Sequence, residues 1–99
     1  MTPDRDDRLF FALSDSTRRE LLDRLYAQDG QPLSSLTADF PVSRQAVSKH
    51  LDVLEEARLI LVERRGRSNR YFLNRMPLRQ VQSRWLEKFT QTRTRIDCG

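Results

Sequence analysis

The chain has a single cysteine, Cys98, and a single histidine, His50, among its 99 residues. One cysteine excludes an intrachain disulfide framework and any metal site built from several cysteines. The three glycines are scattered, so no glycine-rich loop that could cradle phosphates is present. A Gly-x-Ser-x-Gly nucleophile motif is also missing. These absences argue against an enzyme, and we expect neither catalytic residues nor a bound cofactor.

Long apolar runs are missing as well. The longest extends from Leu9 to Leu13, which is far too short to span a bilayer. The segment from Met1 to Arg8 is acidic and polar, unlike a secretory signal peptide. We therefore expect a cytoplasmic protein with no membrane partner. The length predicts one domain over residues 1–99, with a modest core that gains from oligomerisation.

Positive charge is present, and arginine supplies nearly all of it. Of the 18 Lys and Arg residues, only Lys49 and Lys88 are lysines. The net charge is −3 over residues 1–42, +3 over 43–74 and +4 over 75–99. Arginine favours planar, bidentate partners such as phosphate and guanine. An acidic front and a basic remainder indicate that the second half of the chain meets a polyanion.

One amphipathic helix organises the chain, and it covers residues 43–57. At about 100° per residue, Val47, Leu51 and Leu54 share one face. The opposite face carries side chains that can read base edges or contact the DNA backbone. The predicted DNA contacts on this helix are Ser43, Arg44, Gln45, Ser48, Lys49 and His50. His50 lies at the boundary of the two faces, where it either orients the helix through a hydrogen bond or contacts a phosphate. Taken alone, this helix fits an ordinary solvated surface equally well.

The segments before this helix predict three further helices. The first covers about residues 4–13, and Phe10 and Phe11 leave its other sides apolar, so a second subunit should cover it. Asp15 caps the second helix, about residues 16–28, whose buried stripe is Leu21, Leu22, Leu25 and Tyr26. A third, short helix runs from Pro32 to Asp39 and faces inward through Leu33, Leu36 and Phe40. Residues 32–57 therefore have helix-turn-helix spacing.

The hydrophobic period changes from 3.6 to 2 after Ala57. Two β-prone runs, 59–62 and 70–73, predict a hairpin over about residues 59–73, with Gly66 and Asn69 supplying turn geometry. The predicted tip carries Arg64, Arg65, Arg67 and Arg70. A tip rich in arginine suits a wing that lies on phosphates or enters the minor groove. The alternative is a charged loop that only keeps the protein soluble.

A last helix is predicted over about residues 77–95, with Pro77 at its first position. One narrow stripe of this helix is apolar, and it consists of Leu78, Val81, Trp85, Phe89 and Ile96. On so small a domain we interpret this stripe, together with Phe10 and Phe11, as the seam of a homodimer. The alternative is that the stripe packs back on its own domain.

Three segments resemble the ArsR-type winged helix-turn-helix repressors. They are Leu13-Ser-Asp-Ser-Thr-Arg-Arg-Glu-Leu-Leu22, Val42-Ser-Arg-Gln-Ala-Val-Ser-Lys-His-Leu-Asp-Val-Leu-Glu-Glu-Ala57 and Gly66-Arg-Ser-Asn-Arg-Tyr-Phe-Leu73. The resemblance covers residues 5 to about 92. It implies a mainly α fold with a small β-hairpin, a homodimer through the first and last helices, and two recognition helices in successive major grooves of an imperfect palindrome in double-stranded DNA. It also places Arg44, Gln45, Ser48 and Lys49 at DNA-facing positions.

The chain departs from the metal-sensing members of that family. The stretch from Leu33 to Asp39 has no Cys or His, and the last helix has no His, so we expect no metal site. The chain looks closer to the metal-independent members. Arg58 is a second departure, because relatives usually have Gly there. If Arg58 must adopt the left-handed conformation, the backbone is strained.

The sequence thus predicts a sequence-specific DNA-binding regulator, a dimeric repressor that does not respond to metals. Two alternatives stay open. One is a thiol- or small-molecule-responsive repressor of the same fold, in which Cys98 could join a thiol site across the dimer. The other is a winged helix used for protein–protein contact, against which Arg44, Lys49 and the arginine-rich wing speak. The operator and the inducer, if there is one, are left undetermined.

Overall fold

Helices alternate with short strands along the chain, and the computed structural model describes residues 4–91. The elements in chain order are α1 (Arg5–Leu13), α2 (Ser16–Ala27), β1 (Gln31–Pro32), α3 (Leu33–Leu36), α4 (Arg44–Glu56), β2 (Ile60–Arg65), β3 (Ser68–Leu73), α5 (Met76–Val81), a π-helical segment (Gln82–Leu86) and α6 (Glu87–Thr90). The predicted fold class, mainly α with a small hairpin, is confirmed. None of the described helices is long and apolar enough to cross a membrane.

Side-chain caps start the three long helices, and those at Asp15 and Ser43 are the ones that the sequence predicts. The carboxylate of Asp4 accepts from the N–H of Asp7 at 2.8 Å, at the start of α1. Asp15 accepts from the N–H groups of Thr17 and Arg18 at 2.8 and 3.2 Å, at the start of α2. The hydroxyl of Ser43 accepts from the N–H of Ala46 at 3.1 Å, at the start of α4. Each cap satisfies backbone donors that the helix itself leaves unpaired.

The core lies where α1, α2, α3, α4, the sheet and α5 meet. Its largest fully buried side chains are Leu9, Leu21, Leu25, Leu36, Val47, Leu51, Leu54, Leu59, Ile60 and Val81. Tyr26 was predicted to belong to this core, and that prediction is wrong, because its side chain is 72% exposed. It lies beside Arg75 instead, with the guanidinium carbon 5.8 Å from the ring centroid.

The hairpin has longer strands and a tighter turn than expected. Strands β2 and β3 pair antiparallel from Ile60 opposite Leu73 to Arg65 opposite Ser68, so only Gly66 and Arg67 remain in the turn. Gly66 has φ +54°, the region that glycine adopts most easily. The predicted role of Asn69 in the turn is wrong, because Asn69 pairs with Arg64 in the sheet.

A short strand stands where the sequence predicted the start of the third helix. Gln31 and Pro32 form β1, which pairs with β3 and places β3 in the centre of a three-stranded sheet. Proline cannot donate to a ladder, but an edge strand tolerates it. Helix α3 therefore has only four residues. Gly30, with φ +73°, makes the close approach possible, since a Cβ there would lie 2.9 Å from the Phe72 ring.

Arg58 adopts the left-handed conformation between α4 and β2, with φ +62°. For a residue with a Cβ this costs about 1–2 kcal/mol. Two hydrogen bonds hold it there: its N–H donates to the carbonyl of Glu55 at 2.9 Å, and its own carbonyl accepts from Asn74 Nδ2 at 2.8 Å. These two hydrogen bonds therefore hold the backbone reversal after α4 in place.

The C-terminal helix comprises α5, the π-helical segment and α6, and it begins at Met76, one residue earlier than predicted. The π-helical turn was not foreseen from the sequence. Val81 is 1% exposed and belongs to the core of its own domain, so its predicted place in a dimer seam is corrected. The predicted end of the helix near residue 95, together with Ile96 and Cys98, lies outside the described residues.

Candidate nucleic-acid interface

Helix α4 presents the predicted polar face. Val47, Leu51 and Leu54 are buried at 0%, 2% and 0% exposure, which fixes the rotation of the helix. On the other side, Ser43, Arg44, Gln45 and Lys49 are exposed, and Ser48 is half-buried. Hydrophobic burial therefore orients these polar side chains outward.

The start of α4 suits a phosphate. The hydroxyl of Ser43 accepts from the N–H of Ala46. The N–H groups of the first two helical residues, Arg44 and Gln45, have no partner within the helix. The helix dipole adds partial positive charge at the same end. Arg44 and Gln45 lie in this first turn. Charge and unpaired donors therefore coincide at the amino end of the helix.

The recognition helix and the wing share one groove. Arg44 of α4 lines it together with Ser34 of α3 and with Arg67, Ser68 and Asn69 of the hairpin. The fold thus brings together two cationic side chains that are 23 positions apart in the sequence. A nucleic-acid strand lying along this groove would meet both.

The four wing arginines are not equivalent. Arg64 donates two hydrogen bonds to the Glu55 carboxylate, at 3.1 and 3.2 Å, and this pairing raises the pKa of Arg64. Arg65 pairs with Glu63 at 3.1 Å, and Arg70 donates to the carbonyl of Gly30 at 3.2 Å. All three lie on strands, so the prediction that they form the tip is corrected.

Arg67 alone of the four occupies the turn. It is exposed and makes no ion pair or side-chain hydrogen bond within residues 4–91. A guanidinium without an internal partner is available to a phosphate at no cost in broken contacts. Within the wing, Arg67 is therefore the strongest candidate for contact with DNA.

A buried arginine, which the sequence did not single out, supports the recognition helix. Arg18 of α2 is 7% exposed; its Nε donates to the carbonyl of Ala12 at 2.8 Å and its Nη2 to that of Phe11 at 3.0 Å. Its Nη1 lies 3.1 Å from Nδ1 of His50. The sequence does hold a signal, since Arg18 starts the buried stripe that Leu21, Leu22 and Leu25 continue.

His50 therefore has the first of its two predicted roles. Arginine has no acceptor, so Nδ1 of His50 must accept and the ring proton lies on Nε2. The bond fixes the ring orientation and joins α4 to α2. The ring is half-buried. The phosphate contact of His50 stays a prediction.

Asp15 lies close to this cluster. Desolvation alone would raise the pKa of its carboxyl, but the N–H groups of Arg18 and Thr17 and the electrostatic effect of the nearby His50 and Arg18 side chains outweigh it. The pKa of Asp15 is therefore lower than its ordinary value of 3.8. The same carboxylate caps α2.

A cluster of aromatic rings joins α1 to the C-terminal helix. The ring centroids of Phe10 and Trp85 are 5.6 Å apart, those of Trp85 and Phe89 are 5.1 Å apart, and both pairs are edge-to-face. The cluster nevertheless remains 39%, 44% and 65% exposed at Phe10, Trp85 and Phe89. An ion pair between Arg84 and Asp6, at 2.8 Å, holds the same two helices.

The other predicted seam residues differ from this cluster. Phe11 is exposed and packs its ring against the Arg18 guanidinium, 4.9 Å from its centroid. Leu78 is half-buried against the core of its own domain. The alternative interpretation of the stripe, packing on its own domain, thus holds for Leu78 and Val81.

The helix-turn-helix is also found by comparison with known proteins. Residues 13–63 match the model of a helix-turn-helix domain family. The chain belongs to the ArsR-type winged helix-turn-helix regulators.

Three similar proteins support this membership. The uncharacterized HTH-type transcriptional regulator YuzN of Bacillus subtilis is 39% identical over 82% of this chain and 95% of its own length. The transcriptional repressor SdpR of the same organism is 34% identical over 84% of this chain and 90% of its length. The solved structure of an ArsR-like transcriptional regulator from Rhodococcus sp. RHA1 is 41% identical, covers 83% of this chain and 76% of that chain, and superposes with a TM-score of 0.70.

Family and fold together establish the general function. The regulator binds DNA through its helix-turn-helix and controls transcription, and its relatives are transcription regulators rather than enzymes.

Proposed function

We propose that the regulator is a homodimeric repressor that binds an imperfect palindrome and does not respond to metals. In this proposal each subunit places α4 in a major groove and lays its hairpin on the adjacent backbone. Arg44, Gln45, Ser48 and Lys49 read bases, while Ser43, His50 and the wing, chiefly Arg67, contact phosphates. The C-terminal helix and α1 form the dimer interface.

The observation that carries the proposal is the exposed aromatic cluster of Phe10, Trp85 and Phe89. Aromatic side chains contribute most of the contact energy of protein interfaces, and a monomer rarely leaves several of them exposed together. These rings are already ordered against one another, so a second subunit would bury them at little entropic cost. A two-fold axis beside this cluster brings the same surface of both subunits together.

A dimer also answers a problem of affinity. One α4 reads a single half-site of a few base pairs, and one wing adds few phosphate contacts. Two copies held on one rigid dimer bind half-sites about 34–36 Å apart, one helical turn of DNA. The second copy then binds at a high effective concentration. The C-terminal helix would thus set the spacing of the operator.

Independence from metals is supported by the donor residues. Within residues 4–91 no group of three or more His, Cys, Asp or Glu side chains is arranged to hold a metal ion. His50, the single histidine, is occupied by Arg18 through Nδ1. Repression rather than activation is supported by the similarity to SdpR, which is named a transcriptional repressor.

Fluorescence anisotropy with a labelled duplex from the region upstream of its own gene tests the proposal. We expect saturation at two subunits per duplex. We also expect the logarithm of the binding constant to fall linearly with the logarithm of the salt concentration, with a slope of about −0.9 for each phosphate neutralised. Zinc and cadmium should leave the affinity unchanged. A slope near zero, one subunit per duplex, or release by either metal would contradict the corresponding part of the proposal.

A further inference from the structure

A cleft outside the proposed DNA-binding surface opens between α1, the start of α5 and the end of α4. It has a volume of about 420 Å³ and is formed by α1, the last residues of α4, the segment after β3 and the start of α5. This volume lies within the range of small-molecule sites, about 300–1,000 Å³. Three arginines line it, Arg5, Arg8 and Arg58, together with one carboxylate, Glu56.

The arginines of this cleft have no side-chain hydrogen bond or ion pair within the described residues. None of Arg5, Arg8 and Arg58 donates a side-chain hydrogen bond or forms an ion pair with any residue between 4 and 91. Most guanidiniums elsewhere have partners, as Arg84 has in Asp6 and Arg64 in Glu55. Arg5 and Arg8 are three apart on α1, a spacing at which like charges repel. An anion between them and Arg58 would remove that repulsion.

Arg58 provides an independent observation. It is the residue with φ +62°, a conformation that glycine adopts without penalty and arginine does not. A strained backbone at the rim of a cleft is a reason to look for function there. Arg58 follows the end of α4 and lines the same cleft as Arg5 and Arg8, so it adds a third guanidinium there.

We propose that this cleft binds a small organic dianion, either a phosphate ester or a dicarboxylate. The lining has three positive charges and one negative charge, so a dianion neutralises it. Guanidiniums recognise phosphate and carboxylate alike, through paired N–H donors. Ala57 and Pro77, both buried, provide an apolar wall for the carbon body of the ligand, and the amide of Gln80 adds a neutral polar contact.

The position of the cleft makes it a site for an effector. A ligand there would contact α1 and α5, which we place at the dimer interface, and the end of α4, which we place in the major groove. Ligand binding and DNA binding would then be coupled, and each would change the affinity of the other by the same factor. This coupling rests on the proposed function, whereas the binding of the dianion does not.

The test is calorimetric titration of the full chain, without DNA, using inorganic phosphate and succinate as probes. We expect saturable binding of at least one probe, with the tighter one identifying the ligand class. Arg58→Gly and Arg8→Gln should each weaken it by about tenfold or more, since each removes a charge-assisted contact. Arg79→Gln is the matched control, because Arg79 is exposed on α5 but does not line the cleft. It should bind like the wild type.

Arg58→Gly separates loss of binding from loss of folding. Glycine relieves the backbone strain, so this variant should melt no lower than the wild type while losing the probe. Failure of both probes to bind, or equal binding by the wild type and Arg58→Gly, would overturn the proposal. A final titration with duplex DNA tests the coupling: a probe that binds the cleft without altering DNA affinity would remove the effector role and leave the site.

Discussion

Arg18 donates from Nη1 to Nδ1 of His50 across 3.1 Å, and so joins α2 to the recognition helix. The same guanidinium binds the carbonyls of Phe11 and Ala12 at the end of α1. One buried side chain therefore connects the helix that carries part of the aromatic cluster with the helix that we propose reads DNA. Any shift of α1 relative to α4 must strain or break these hydrogen bonds.

We expect Arg18→Gln to lower the free energy of unfolding by about 1–3 kcal/mol, because it removes the buried donor to the Ala12 carbonyl and the partner of His50 Nδ1. Urea denaturation measures this change. Arg19→Gln is the matched control, since Arg19 also donates to an α1 carbonyl, that of Leu13, but is exposed. Its effect should stay within about 0.5 kcal/mol. Equal losses for the two variants would show that burial of Arg18 contributes nothing.

The stability of the regulator should depend on Asp15 in acidic solution. Its pKa is lower in the folded protein than the ordinary value of 3.8. The carboxylate therefore stabilises the fold above the unfolded pKa, and this contribution is lost as the pH falls through the folded pKa. Asp15→Asn keeps a capping oxygen but cannot titrate. The wild type should lose stability more steeply than Asp15→Asn below about pH 4; parallel curves from urea denaturation at each pH would contradict the prediction.

Base reading and backbone contact should separate in binding experiments. Arg44→Ala and Lys49→Ala should reduce the preference for the operator over unrelated duplexes, by about 1–3 kcal/mol for each lost base contact. Arg67→Ala should weaken all duplexes alike and reduce the salt slope by about one. Competition anisotropy with operator and scrambled DNA measures both quantities. If the two classes of variant behave alike, the assignment of roles is wrong.

Arg64→Ala provides a control for the wing. Arg64 is already bound to Glu55 by two hydrogen bonds, so it is less available to DNA than Arg67. We expect its loss to change DNA affinity less than the loss of Arg67 does. A larger effect of Arg64→Ala would mean that the ion pair opens on binding.

The dimer should depend on Trp85. Trp85→Glu places a charge in the centre of the aromatic cluster, and we expect monomers by sedimentation velocity, because an unpaired charge is costly to bury. Tyr26→Glu is the matched control: Tyr26 is more exposed than Trp85, at 72% against 44%, but lies outside the cluster. It should leave the dimer intact. A Trp85→Glu protein that remains dimeric would place the interface elsewhere.

Periodicity and capping predicted the local structure well where a helix was long. The caps at Asp15 and Ser43 and the buried face of Val47, Leu51 and Leu54 all follow from residue type and spacing. The prediction that Tyr26 is buried was wrong, because helical spacing alone does not say how far the neighbouring elements extend. Its side chain, at one end of the α2 stripe, remains 72% exposed. The prediction that Pro32 starts the third helix was wrong, because Pro32 belongs to β1. That strand forms only by pairing with β3, where Pro32 lies opposite Arg70, 38 positions away.

The sequence predicted which residue types lie at the candidate nucleic-acid interface. It predicted only part of how these residues are arranged. The sequence placed arginines at residues 64, 65, 67 and 70 but could not show that Glu55, Glu63 and the Gly30 carbonyl engage three of them. Glu55 and Gly30 lie on other parts of the fold, 9 and 40 positions from their arginines, whereas Glu63 lies on the same strand as Arg65. The sequence did not predict that Arg18 is buried, because a charged residue next to an apolar stripe is normally expected to lie at the surface.

The sequence by itself determined the helices, the outward face of α4, the hairpin and the family, because these depend on local periodicity and on short motifs. Only the tertiary structure decided which arginines remain available, which aromatic rings stay exposed and where three guanidiniums meet a cleft. Such pairings depend on distances between residues far apart in the chain, and burial sets them once the core has packed. For the Ser43–Ala57 segment, the structure added its attachment to Arg18 and its position between the wing and the arginine cleft.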